Sequence, residues 1–391
     1  MFGSNQYINV GNAGSTNSLT VSNGGYFRVS RLGAGVGTGD DNSIVITGAN
    51  SEVRGNAGSN SFLDVGSVNG GTGNNIQVAA GGTLNFGGSA TNRRWAVGQV
   101  VGADTNYIKI TGANSCANMV NSGIPLAIGG IANGANALTD GGTGNHLDVF
   151  SGATLDLNNL DASNVNIPTA SMSVSILGTD SAFNLGDGTG ISTAFVGGTT
   201  GFASGVFLRN SSGRLNMNSG KLVAGVNGAL VSGTGAVVLN GAGTFDTAFA
   251  GSTISTPISG IGSFTKEGAG TLSLSGSNTY SGDTSVLAGT LSIAAASLSD
   301  LADVYLYAGS TFNLGYASTD IIDSFFIDGV AQDTGIWGAL GSGAAHETSL
   351  LTGTGTLTVT TAAVPEPTSI ALAAMGSLGL LALRRRRSSG V

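Results

Sequence analysis

Charge is what this chain has least of. Of its 391 residues only 9% are charged, against about 25% in ordinary soluble domains. That argues against a surface of helices laced together by ion pairs. The net charge is −8, so there is no basic footprint for a phosphate backbone, and nucleic acid is not an expected partner. The single cysteine, Cys116, rules out an internal disulfide and reads as a small buried hydrophobe. Five prolines and no three-residue glycine period exclude collagen. The two histidines, His146 and His346, stand far apart with no cysteine beside either, and neither a metal site nor a cofactor is expected.

Glycine and short apolar runs fill the space that charge leaves. There are 67 glycines, more than twice the usual share of about 7%. Hydrophobic residues reach 41%, too many for a disordered linker. Together these predict many short strands joined by tight turns.

The first half repeats itself. NSLTVSNGGYFRV from Asn17, NSIVITGANSEV from Asn42, NNIQVAAGGTLNF from Asn74, NYIKITGANSCANM from Asn106 and NHLDVFSGATLDL from Asn145 share the form N-x-[IL]-x-[VI] followed by a glycine-rich corner. Weaker copies are SMSVSILGTDSAF from Ser171 and GVFLRNSSGRLNM from Gly205. Apolar residues two apart share one face of a strand, so Ile44 and Ile46, Ile76 and Val78, and Ile108 and Ile110 are expected to point inward in pairs. A second motif, a short strand ending in Val-Gly or Ile-Gly, precedes several copies, as in YINVGNAGSTN and FLDVGSVNGGTGN.

Steps of 25 to 39 residues between copies fall in the range of solenoids and propellers. One coil per repeat, with two or three strands per coil, fits best. Glycine and asparagine suit the corners because they tolerate positive φ, and asparagines at equivalent corners are placed to hydrogen-bond along the axis. Ordinary hairpin turns of an antiparallel sandwich would use the same residues. The expected fold is all-β, a right-handed parallel β-helix (solenoid). GGTGNNIQV and GGTGNHLDV resemble calcium-binding nonapeptide repeats, but Asn75 and His146 stand where those repeats carry aspartate, and calcium prefers carboxylate and carbonyl oxygens.

From Phe264 the chain reads FTKEGAGTLSLSGSNTYSGDTSVLAGTLSI. Lys266, Gly268, Gly270, Thr271, Leu272, Leu274, Gly276, Asn278, Tyr280, Gly282, Thr284, Val286, Gly289 and Leu291 fall on the pattern of the autotransporter-associated β-strand repeat, which this segment closely resembles. Asp283 departs from it. A degenerate copy lies around Gly233 to Phe245. The resemblance implies a right-handed parallel β-helix in a secreted protein. From the residues alone, GTLSLSG and TSVLAGTLSI are alternating strands and SNTYSGD is a turn. Phe312, Tyr316, Phe325, Phe326 and Trp337 then crowd a stretch that resembles the closing segment of such proteins. A solenoid end needs a cap to cover its core and strand edges. The expected domains are 1–226 (irregular Gly/Asn-rich repeats), 227–300 (β-helix carrying the repeat at 264–293), 301–361 (β cap) and 362–391 (tail).

The tail reads VPEPTSIALAAMGSLGLLALRRRRSSGV. Val364, Pro365, Glu366 and Pro367 are followed by the uncharged run Thr368–Leu383 and then Arg384, Arg385, Arg386 and Arg387. This order closely resembles the PEP-CTERM sorting signal of Gram-negative bacteria, which implies recognition by an exosortase. The run is about 24 Å long as a helix, slightly short of a hydrocarbon core of about 30 Å, and arginine snorkelling covers the difference. A single transmembrane helix is expected there, with the arginines cytoplasmic. Export also calls for a signal peptide and an N-terminal cap, and both are expected upstream, because the chain opens inside a repeat. The expected location is the inner membrane before processing, then the cell surface or extracellular matrix.

These residues describe a structural or adhesive surface protein, with exopolysaccharide or other surface glycans as partners. The alternative is a carbohydrate-active β-helix enzyme, a polysaccharide lyase or hydrolase, which would need paired carboxylates or an acid–base cluster in a groove. Asp148 and Asp156 flank one strand pair, and Arg93 and Arg94 adjoin Trp95, but neither recurs on adjacent coils. No catalytic residue is assigned.

Overall fold

The computed structural model describes residues 7–55, 62–66, 70–88, 95–121, 126–133, 137–157, 173–197, 205–225, 227–248 and 251–361. Within them the chain winds through three long sheets. The first has 13 strands and begins with Tyr7–Val10. The second has 9 and begins with Ser18–Val21. The third has 13 and begins with Tyr26–Val29. Successive coils place Arg31–Ala34, Ser43–Thr47 and Glu52–Gly55, then Phe62–Val65, Asn75–Ala79 and Thr83–Gly88, on the same three sheets. Neighbours within each long sheet pair in parallel, except at the final strand of the third, and the register shifts once in the first sheet, between Ala229 and Val231. This is an all-β parallel solenoid of three strands per coil. Antiparallel pairing among the described residues is confined to Gly130–Asn133 with Ala137–Asp140, Phe325–Ile327 with Val330–Ala331, and Gly335–Ala339 with Thr356–Val359. The antiparallel sandwich is therefore set aside.

Alternation builds the core. Ile44, Ile76, Ile108, Leu147, Phe183, Leu215, Val237 and Ile258 stack in register along the second sheet and are fully buried. Ile46, Val78 and Ile110 form the neighbouring row. Most outward positions between them are polar, as at Gln77 and Lys109, with Val45 and Val238 as exceptions, so each strand buries mainly one face.

Between the first and second sheets the chain must turn a corner whose backbone groups have no sheet partner. Asparagine supplies one. The Asn42 backbone N–H and Nδ2 both donate to Asn74 Oδ1, at 3.0 and 2.9 Å. Asn74 treats Asn106 Oδ1 the same way, at 2.9 and 3.1 Å, and Asn17 repeats the bond to Asn42. The Asn106 N–H reaches Asn145 Oδ1 at 2.9 Å, and the Asn145 N–H reaches Ser181 Oγ at 3.3 Å. Asn42, Asn74, Asn106 and Asn145 are wholly buried. Their separations of 32, 32 and 39 residues are absorbed by loops, and the longest step contains the Gly130–Asp140 hairpin.

The Val-Gly motif turns out to be the other half of this device. Gly35 packs on Asn74, Gly66 on Asn106 and Gly98 on Asn145, one coil further along. A Cβ on Gly66 would lie 2.3 Å from the Asn106 amide, and its φ of 61° is itself costly for a residue with a side chain.

The coils tighten in the second half. Equivalent residues lie 20 apart at Ile258 and Asn278 and at Asp283 and Asp303, and after Ile258–Gly260 no further strand among the described residues joins the second sheet. Residues 301–361 complete the first and third sheets and add a four-stranded sheet of Thr319–Ile322, Thr356–Val359, Gly335–Ala339 and His346–Thr348. Phe312 and Phe325 are buried there, and Trp337 meets Phe325 edge-on at 5.3 Å. Phe326 lies nearer the surface, stacked on Tyr305.

The ladder yields a prediction. Asn74→Ala strands the Asn42 backbone N–H and Nδ2 in the interior, at about 1–3 kcal/mol per orphaned group. Amide exchange should speed up first in Ser43–Thr47 and Asn75–Ala79, and Gly66→Ala should do the same one coil along. Protection unchanged from wild type in both variants would show that the ladder contributes nothing.

Candidate functional site

Two outward faces carry the polar side chains that the core rejects. On the second sheet a hydrogen-bonded row crosses six coils. Ser43 Oγ donates to Asn75 Oδ1, and Gln77 Nε2 donates to Asn75 Oδ1 and to the Tyr107 hydroxyl. Burial raises the Tyr107 phenol's pKa, and the Gln77 bond offsets part of that rise. The Tyr107 ring stacks on His146 at 4.9 Å, His146 Nδ1 lies 2.9 Å from Asp148 Oδ2, and Asn184 and Asn216 continue the chain at 2.7 Å each.

On the third sheet a groove of about 330 Å³ lies across three coils, lined by Asn50, Ser51, Glu52, Arg54, Thr83, Asn85 and Asn118. Parallel register sets Glu52 beside Thr83, Arg54 beside Asn85, and Asn85 beside Asn118. Arg54 Nε bonds Glu52 Oε1 at 2.6 Å. Asn85 is 4% exposed, and its Oδ1 has no hydrogen-bond partner.

The two carboxylates weighed for catalysis lie on different sheets. Asp148 belongs to the second sheet and Asp156 to the third, and both point outward, because Leu147, Val149 and Leu155 fill the core. Asp148 is instead held by His146 and Asn184. His346 sits in the C-terminal mixed sheet, stacked on Trp337 at 4.7 Å. Trp95 is buried against Phe86, and Arg93 and Arg94 lie outside the described residues. No group of three or more His, Cys, Asp or Glu side chains converges among the described residues. Cys116 is a correction. It is only partly buried and faces outward, with Ala117 turned inward, and its Sγ bonds Asn118 Oδ1 at 3.0 Å.

The segment from Phe264 holds a feature that composition hides. Lys266 points into the core, fully buried between Phe245 and Val286. Its ammonium has three donors, and they meet the carbonyls of Glu267, Gly268 and Ala288 at 2.7, 2.7 and 3.1 Å. Burial pushes its pKa down to about 8 against the pull of Asp246 and Glu267. Outside, Lys221 Nζ bridges Asp246 and Glu267 at 2.8 and 2.7 Å. Burial opposes that charge, but the two carboxylates outweigh it and hold the Lys221 pKa high. SNTYSGD is not a turn. Asn278 Oδ1 accepts the Ile258 N–H, and the Thr279 and Ser281 N–H groups donate to Ile258 and Gly260, so this stretch continues the second face. Tyr280 is buried and bonds Thr284 Oγ1 at 2.8 Å. Thr271–Leu274, Thr284–Val286 and Gly289–Ile293 are strands, as alternation predicts.

The sorting residues Val364, Pro365, Glu366 and Pro367, the expected membrane helix Thr368–Leu383 and Arg384 to Arg387 lie outside the described residues. No helix among the described residues is long and apolar enough to cross a membrane.

Comparison with known families finds two matches. Residues 264–293 match the passenger-associated-transport-repeat, and residues 363–387 match the PEP-CTERM protein-sorting motif. The sorting motif implies an exported protein, handled at the membrane by an exosortase. No curated protein and no solved structure matches the chain.

Lys266 makes the pH dependence predictable. The folded chain releases this proton near pH 8, and the unfolded chain holds it to about 10.5. Between those values the unfolded state binds more protons, so unfolding free energy should rise with pH. Denaturant titrations from pH 7.5 to 10.5 should show that rise in the wild type and its loss in Lys266→Met. An identical slope in both proteins would contradict the assignment.

Proposed function

We propose that this protein is a structural component of the cell surface or extracellular matrix, delivered by an exosortase and in contact with exopolysaccharide or other surface glycans. The observation that carries the reading is the sorting motif at 363–387, which follows a solenoid whose described polar groups form rows along the axis, with Asp148 and Asp156 on different sheets. The body is taken as right-handed, the hand that parallel crossovers adopt in about 98% of cases. Residues 301–361 act as its cap. Their mixed sheet and buried Phe312, Phe325 and Trp337 support that role, since a solenoid end would otherwise expose its core.

In this reading Thr368–Leu383 holds the chain in the inner membrane until processing. The run is apolar all round, with no polar stripe to face water. Proline disfavours strand pairing, so this reading has Pro365–Glu366–Pro367 presented to a membrane-embedded enzyme. Arg384 to Arg387 fix its depth from the cytoplasmic side. No enzymatic activity is assigned, because Asp148 and Asp156 lie on different sheets and retaining or inverting glycosidases need carboxylates within about 5–10 Å.

In an exosortase-bearing host, replacing Pro365–Glu366–Pro367 with alanines should leave unprocessed protein in the membrane fraction. Replacing Arg384 to Arg387 with alanines should do the same. Normal processing and surface display of both variants would reduce the tail to a generic anchor. Glycan turnover by the purified protein would restore the enzymatic alternative.

A further inference from the structure

In the third-sheet groove an outward polar row is left incomplete at an amide. Elsewhere the outward amides bond one another along the axis, as Asn184 and Asn216 do. In the groove, Asn85 Oδ1 is buried without a donor, an unmet acceptor that a ligand hydroxyl would satisfy. Around it stand two further amides, Asn50 and Asn118, the hydroxyls of Ser51 and Thr83, and the Glu52–Arg54 pair. The volume of about 330 Å³ is at the lower end of small-molecule sites. An apolar ligand would desolvate this lining without replacing its hydrogen bonds. An anion would meet Glu52, and the one guanidinium in the lining is already engaged by that carboxylate. What remains is a neutral ligand with several hydroxyls, each able to donate and accept.

We propose that this groove binds one hexose ring of a neutral glycan whose chain runs along the solenoid axis. Three coils span the site, so the lining extends about 10 Å along the axis. One coil before Glu52, in direct register, stands the exposed Tyr26. It offers an apolar face to the carbon side of the neighbouring sugar, with Asn85 and Glu52 holding hydroxyls of the bound one. Glu52 acts through Oε2, since Oε1 is taken by Arg54. This deepens the proposed surface role by naming where and what the protein holds, and it rests on that reading for the source of the glycan.

The test is titration calorimetry of the full chain with neutral glucan, galactan and mannan oligosaccharides, with an oligouronate of equal length as control. At least one neutral series should bind in preference to the oligouronate. Asn85→Leu and Glu52→Gln should each weaken that binding about tenfold or more, Tyr26→Ala should weaken it less, and His146→Ala on the second sheet should leave it unchanged. Because Glu52→Gln keeps the side chain's shape, it reads the site even if Asn85→Leu perturbs packing. Surface display is measured in parallel. Normal display with no neutral oligosaccharide binding, or binding indifferent to Asn85 and Glu52, overturns this inference and leaves the surface role standing. Tighter binding of the oligouronate overturns the neutral-ligand assignment. Failed display of the wild type would instead count against the surface role.

Discussion

The buried asparagine at the first corner is the constraint on which the rest of the solenoid depends. A coil that turns inside the protein must satisfy backbone N–H groups that no sheet can reach, and leaving one unpaired costs as much as a core truncation. A carboxamide meets the need because it accepts from the coil before it and donates to the coil after it, as Asn74 does between Asn42 and Asn106. An aspartate could only accept. The amide then occupies the space where a side chain would sit on the strand end of the preceding coil, so that position must be glycine. One hydrogen-bonding requirement thus sets two residues of each repeat along the ladder from Asn42 to Asn145.

The same logic holds where the repeat changes. In the tighter coils after Ile258, Asn278 again takes a backbone N–H from the coil before it. The interior then admits a lysine. Lys266 is tolerable there because its three donors meet three carbonyls, which is the condition under which a buried charge survives. Loop length is free to vary provided that these corner bonds form, which is why steps of 25 and 39 residues coexist in one structure.

Much of this was legible in the sequence. Pairs such as Ile44 and Ile46 announced the inward rows, and the recurrent asparagines announced an axial ladder, because both signals are local and periodic. The glycine–asparagine contact was not legible. Gly66 and Asn106 belong to different repeats, and only the register of the fold brings them together. Lys266 was named as part of a pattern, but its charge argued for the surface against an alternation that pointed inward, and alternation won. SNTYSGD looked like a turn because its residues favour turns, whereas the preceding coil offered free backbone groups that drew it into an extended path. Cys116 was misplaced because small apolar character outweighed its position opposite Ala117. The groove had no motif at all. It arises from Glu52, Arg54, Thr83, Asn85 and Asn118 only after three coils are stacked.

The hydrogen bonds of the three long sheets run from coil to coil, which is along the axis and across the strands. Tension applied between the two ends therefore opens these bonds in sequence, one coil at a time, instead of loading a whole strand in shear. Each coil touches mainly its neighbours, with the Lys221–Glu267 pair reaching one coil further, so a coil that peels away releases its own residues as slack and leaves the next coil largely intact. Held at one end and pulled at the other, such a body would lengthen in small steps at nearly constant force, and the corner amides would set the height of each step.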